Sequence, residues 1–399
     1  MQRIISIAAL LTSFEPGVAQ ALLPVPKNSL GSMDRQECLS HSKRPNVPDN
    51  RSPLDNPTCP APLPAGDKIL LGHGSGGRLS AALLREVFLP AFQNPALAKL
   101  NDQAIVDVEG VRLAFTTDSF VVKPLFFPGG DIGSLAVYGT VNDLAVGGAQ
   151  PLFLSAGFII EEGLPLETLR RVVGSLRAAA EAADVQVVTG DTKVVEKGKG
   201  DGLFINTSGI GRVPAGVNLS ADQARPGDCI LLSGTLGDHG IAILSQREGL
   251  EFETPIASDA APLHSLVAAM LEVTHSIRCL RDPTRGGLSS TLNEFAAQSR
   301  VGIVVEESAI PIREEVKGAC ELLGLDPLYV ANEGKLVAVV AAAEAERVLG
   351  AMRSHPQGTN ARLIGKVVDA HPGVVTLRTC LGTSRIVDML AGDQLPRIC

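Results

Sequence analysis

Three acidic segments stand where an α/β chain gathers its ligands. They are Thr116-Thr117-Asp118-Ser119, Asn142-Asp143-Leu144-Ala145 and Gly190-Asp191-Thr192-Lys193, each read as lying just after a strand or on the following helix. Magnesium prefers oxygen ligands and is held by a few carboxylates together with substrate phosphates. Three such aspartates can therefore hold Mg-ATP if they converge; the same residues can also serve as plain helix or turn caps. The last residue, Cys399, is a thiol on an apparently free end. Exposed thiols are reactive, but the adjacent carboxylate disfavours thiolate, so a nearby base would have to activate it. The other reading is a terminal residue without a role.

Two glycine-containing segments are ambiguous. Gly72-His73-Gly74-Ser75-Gly76-Gly77 matches a dinucleotide fingerprint by letter. The strand before it is short, and no acidic residue closes a second strand at the required offset. A loop whose N–H groups reach phosphates, or a simple turn, are the remaining readings. No Walker loop is present. Asp282-Pro283-Thr284-Arg285-Gly286-Gly287 reads as a helix start, with Asp at the N-cap and Pro at the first helical position.

Composition limits the partners. The 399 residues carry a net charge of −8 and no tryptophan, which argues against nucleic acid. No run is long and apolar enough for a membrane helix. Seven cysteines without a CxxC pair fit reduced thiols in the cytoplasm. Residues 1–21 resemble a weak signal peptide, read as non-functional. Ten of 26 prolines but only three of 41 glycines fall in residues 1–66, so that stretch is expected to be a disordered extension.

The folded body should begin near residue 67, with strands and helices alternating. Expected are a strand at Lys68–Leu71, a helix at Arg78–Phe92, and strands at Val111–Thr117, Leu152–Ile160, Val185–Thr189 and Leu203–Ile210. Helices are expected at Ser134–Val146 and Leu166–Ala183. The latter carries Leu166, Leu169, Val172, Val173 and Leu176 at helical spacing. Pro226-Gly227 marks a boundary. This gives an N-terminal domain over 67–215, a second α/β domain over 226–392 and a mobile tail over 393–399.

Taken together, the segments HGSGGR, NDQAIV, TTDSFVVKPLFFPGGDIG, NDLAVGGAQP, GDTKVVEKG, DPTRGGL, ANEGK and the ending PRIC resemble the HypE family of hydrogenase maturation factors. That family is similar to aminoimidazole ribonucleotide synthetase, selenophosphate synthetase and thiamine monophosphate kinase. The resemblance runs from about Ile69 to Cys399. It implies two layered α/β domains with mixed sheets, whose N-terminal domains pair in a homodimer. It also implies an ATP- and Mg2+-dependent carbamoyl dehydratase. A carbamoyltransferase, HypF, would load the terminal thiol, and the thiocyanate formed from it would supply cyanide through a HypC–HypD scaffold to the iron of nickel–iron hydrogenase.

By the same resemblance Cys399, Glu333 and Lys193 are catalytic, with Glu333 the candidate base. Gly74, Gly76, Gly77, Asp118, Asn142, Asp143, Asp191 and Thr192 would bind the nucleotide. Asp102, Asp118, Asp143 and Asp191 would hold metal. The competing readings are a small-molecule kinase or synthetase of the same superfamily, a nucleotide-binding assembly scaffold without catalysis, and an oxidoreductase built on the glycine loop.

Overall fold

The computed structural model describes residues 68–250, 254–392, 395 and 397–399. The lead over 1–66 and its signal-like start lie outside these residues. Two mixed sheets carry the architecture. The first contains β1 (Ala104–Val108), β2 (Val111–Phe120), β5 (Gln150–Glu161), β6 (Gln186–Val195) and β7 (Leu203–Arg212) in the order β1-β2-β7-β5-β6. A short pair, β3 (Phe126–Phe127) and β4 (Gly130–Asp131), precedes the helix α3 (Ile132–Val146). Asp131 caps that helix, accepting from the Gly133 and Ser134 N–H groups. Helices α3 and α4 (Leu166–Ala182) pack against each other beneath the sheet. The buried side of α4 is Val172, Leu176, Ala179 and Ala180, whereas Leu166 and Val173, expected on the same stripe, are exposed.

The second sheet runs β14 (Ser384–Ile386), β13 (Val375–Arg378), β10 (Gly302–Glu306), β12 (Arg362–Val368), β8 (Cys229–Leu232), β11 (Val337–Val340) and β9 (Ile277–Arg281). Around it lie α5 (Asp238–Glu248), α6 (His264–Val273), α7 (Gly287–Ser299), α8 (Glu314–Leu323) and α9 (Ala345–Arg353). Leu144, Ala145 and Val146 of α3 share one core with Leu266, Val267 and Met270 of α6, so the two sheets are joined through helix packing.

Several expectations change. Lys68–Leu71 is not a strand: among the described residues no strand pairs with it, Ile69 and Leu71 remain exposed, and a 3-10 turn covers Leu71–Gly74. The helix at 78–92 exists as α1 (Arg78–Leu83), a π turn (Leu84–Phe88) and α2 (Leu89–Ala91). β2 and β6 run past the aspartates that were expected to follow them, so Asp118 and Asp191 lie inside strands. Gly190 was read as a strand end, but it is a close approach. A Cβ there would lie 2.3 Å from the Ala156 carbonyl oxygen of β5. Among the described residues no helix is long and apolar enough to cross a membrane.

The described end of the tail is seated against the body. The Val121 N–H donates to a carboxylate oxygen of the terminal Cys399 at 2.9 Å, and the Lys123 N–H donates to the Arg397 carbonyl at 3.2 Å. Leu395, Ile398 and Cys399 are buried in one core with Phe120, Phe127 and Ile241. Burying such an aliphatic side chain contributes roughly 1.5–3 kcal/mol, which is the physical reason for the inward position.

Candidate active site

Asp102 follows the 3-10 turn Leu97–Lys99, Asp143 lies on α3, and Asp282 directly follows β9. One carboxylate oxygen from each lies within 4.8 Å of the other two. The Thr116 hydroxyl bridges the Asp102 carbonyl and the Asp143 carboxylate, both at 2.8 Å. Arg281 grips Asp102 through two contacts of 3.0 Å and also pairs with Glu294. That single guanidinium does not balance the set. Burial and the neighbouring Asp282, Asp102 and Asp118 hold the Asp143 carboxyl well above its usual range. Burial and Asp102 push Asp282 up to about 8. Crowded buried carboxylates of this kind suit a hard divalent cation, whose charge removes the repulsion.

The cluster opens into a cleft of 540 Å³, also lined by Gly76, Gly77, Arg281 and Ser290, within the size range of ligand sites. The glycine loop is held in place on one side of it. Ser75 Oγ donates to the Gly72 and Gly392 carbonyls at 2.8 and 2.9 Å, and the Arg78 N–H donates to that of Leu390 at 2.8 Å. Gly76 has φ +73, and a Cβ there would lie 2.5 Å from the Arg285 carbonyl oxygen. Gly74 is exposed and its carbonyl accepts from Arg285 at 3.0 Å.

On the far side of Arg285 is a smaller cavity of 170 Å³, lined by Gly74, Ser75, Arg285, Tyr329, Ile398 and Cys399. Cys399 is 7% exposed. Burial pushes its thiol up to about 12, opposed by the Arg285 guanidinium, with Glu333 and Asp118 adding to the rise. Glu333 is 2% exposed, and among the described residues its Oε1 has no hydrogen-bond partner. Burial first, then Asp282, Asp118 and Asp259, holds its carboxyl well above the usual range. Its backbone is clamped: its N–H donates to Asp259 at 3.1 Å, and its carbonyl accepts from Asn142 at 3.1 Å. A buried carboxyl without a partner, electrostatically coupled to a thiol, is suited to proton transfer with a group on that sulfur.

Asp118 faces Arg285, which lines both cavities, with its Oδ1 4.0 Å from that guanidinium. Asn142 commits its amide to the Ala261 and Glu333 carbonyls and the Leu263 N–H, so it positions the Glu333 loop. Asp191, Thr192 and Lys193 are not gathered with the other acids in this chain. They are exposed on β6, where Lys193 pairs with Asp191 at 2.8 Å and holds its carboxyl below the usual range. The sequence reading missed two contributors. Asp282 was taken as a helix cap, yet α7 begins only at Gly287, with Gly286 before it at φ 81. Arg285 was read as part of the same start signal. The Gly286-Gly287 pair was the available clue, since it places the left-handed turn after Arg285.

The chain matches two family models, AIR synthase related protein, N-terminal domain, over residues 100–213, and AIR synthase related protein, C-terminal domain, over residues 225–378. It is thus a two-domain protein of the AIR synthase-related class, with an acidic cleft beside a thiol pocket. Within that class the chain belongs to the HypE carbamoyl dehydratase family. It is 60% identical over 333 residues to the carbamoyl dehydratase HypE of Cupriavidus necator, a match covering 83% of this chain and 95% of that one. A solved HypE–HypF complex aligns with TM-score 0.74 and 53% identity over 77% of this chain and 100% of that one. A hydrogenase maturation protein HypE solved in complex with ATP aligns with TM-score 0.71 and 52% identity, over 83% and 100%.

Proposed function

We propose that this chain dehydrates a carbamoyl group carried on Cys399 to a thiocyanate, using ATP, to supply cyanide for the iron of nickel–iron hydrogenase. The observation that carries this reading is the placement of Cys399 with Arg285 in one pocket beside the acidic cleft, where the charge of the buried Glu333 carboxyl acts on the thiol. A small-molecule kinase of the same class has no use for the seated thiol. A scaffold without catalysis has no use for the unpartnered carboxyl of Glu333.

A carboxamide oxygen is a poor leaving group. In the proposed reaction that oxygen attacks the γ-phosphorus of ATP, and the bond to ADP breaks. The C–O bond then breaks with phosphate leaving, the two N–H protons depart, and S–C≡N remains. Glu333 takes an amide proton, for which its raised carboxyl is well matched. Arg285 balances negative charge on the thiocarbamate oxygen as it becomes phosphorylated. Gly76 and Gly77 border the nucleotide cleft. Asp102, Asp143 and Asp282 would hold Mg2+, which when bound supplies charge neutralisation to the phosphates.

Asp118 is close enough to Arg285 to influence both cavities. Asp191, Thr192 and Lys193 take part across a subunit boundary in a homodimer. Phe115, Ile210 and Phe153 support that pairing: they stand in register across β2, β7 and β5, and all are exposed on the first sheet. The seated tail is one state of a swinging carrier. In the other state it reaches HypF for loading and the HypC–HypD scaffold for delivery, at high effective concentration. The free cysteines among the described residues and the ATP chemistry support a cytoplasmic setting. The test is whether Cys399 acquires a carbamoyl group and then loses water from it only when ATP is present.

A further inference from the structure

His239 is fully buried on the first turn of α5, edge-on to Phe127 with ring centroids 5.7 Å apart. Its Nε2 lies 2.6 Å from the Ile398 carbonyl, and its Nδ1 lies 2.8 Å from Ser258 Oγ. A carbonyl only accepts, so Nε2 carries the proton and Nδ1 accepts from the Ser258 hydroxyl. Ser258 Oγ in turn accepts from the Ala260 N–H at 3.1 Å. The tautomer is thus fixed by a chain of three hydrogen bonds ending on the last peptide of the tail. The same helix turn is tied to the Glu333 loop. The Gly237 N–H donates to Asn332 Oδ1 at 2.8 Å, and the Gly240 N–H donates to the Ala331 carbonyl at 3.1 Å.

We propose that His239 is the positioning residue that seats the carrier tail, setting Cys399 in register with Glu333 during dehydration and letting go when the tail swings out. This rests on the carrier reading above. Neither ring nitrogen needs to touch the reacting group. The imidazole joins the tail's last peptide to the helix that braces the Glu333 loop.

The experiment uses the full chain and site-resolved mass spectrometry of iodoacetamide labelling at Cys399, with single-turnover dehydration and partner-catalysed carbamoyl loading measured in parallel. His239→Leu removes the donor and should raise Cys399 labelling about tenfold, the effect of losing one buried hydrogen bond. It should slow dehydration by at least as much and leave loading no slower. His239→Gln keeps an N–H donor and should recover most of the difference. Ser258→Ala leaves the ring in place and should shift labelling the same way by a smaller factor; it decides alone if the leucine variant does not fold. Wild-type labelling in the folded variants overturns the assignment. A wild-type chain that never forms a nitrile sinks the dehydratase reading instead, and leaves the labelling result standing.

Discussion

Arg285 stands between Cys399 and Asp118. Its guanidinium is 4.0 Å from the Asp118 carboxylate and lines the thiol cavity and the acidic cleft alike. Its removal should slow dehydration sharply, because a group that balances developing charge in a buried site is worth about 10²–10³ in rate. Arg285→Lys should recover little, since an ammonium cannot bond the Gly74 carbonyl and face Asp118 in one planar geometry. Single-turnover dehydration of the pre-loaded chain measures both.

Glu333 gives a prediction in which activity and stability move in opposite directions. Its folded carboxyl is raised, so the native state binds that proton more tightly than the unfolded chain does. The associated stability is fully present below the ordinary carboxylate range and is lost as pH rises through the raised folded value. Glu333→Gln removes this loss. The variant should melt higher than the wild type at pH 8 and closer to it at pH 4, while dehydration falls by about 10²–10⁴. Melting curves across that pH range, alongside turnover, test the pairing.

The acidic cluster should behave in the same direction before metal is added. Asp143 and Asp282 are both raised, the latter to about 8, so the metal-free protein should lose stability as pH climbs from 5 toward 8. Mg2+ competes with those protons and should therefore raise the melting temperature more at pH 8 than at pH 6. Asp282→Asn should blunt the magnesium response and flatten the pH dependence. An unchanged response would place the metal elsewhere.

The subunit prediction concerns the outer face of the first sheet. Ile210→Glu puts a charge in the middle of the Phe115–Ile210–Phe153 row. It should convert a dimer to a monomer in sedimentation velocity with little loss of fold, since Ile210 is 39% exposed in one chain. Because Asp191 and Lys193 would act across that boundary, the monomer should also lose dehydration.

Much of this was legible in the sequence, for reasons that differ by residue. The helix α4, with Val172 and Leu176 on its buried side, followed from periodicity. Strand β9 did not, because Ile277–Arg281 lies between two helical patterns, and α8 was passed over altogether. Asp143 was found because it stands in one of the three acidic segments read as ligand-gathering. Asp282 was hidden by a cap-like neighbourhood, with Pro283 mimicking a first helical residue. Cys399 was visible as the last residue. Its seating was not, because it depends on contacts far apart in sequence: Val121, Lys123 and His239.

Intact-mass analysis of the full chain with its carbamoyltransferase partner, carbamoyl phosphate and ATP tests the central claim most directly. The account predicts a carbamoyl adduct that loses one water when ATP is added, with both species mapping to Cys399 and absent from Cys399→Ala. A carbamoyl adduct on Cys399 that persists unchanged in ATP, or a nitrile formed on the alanine variant, would contradict it.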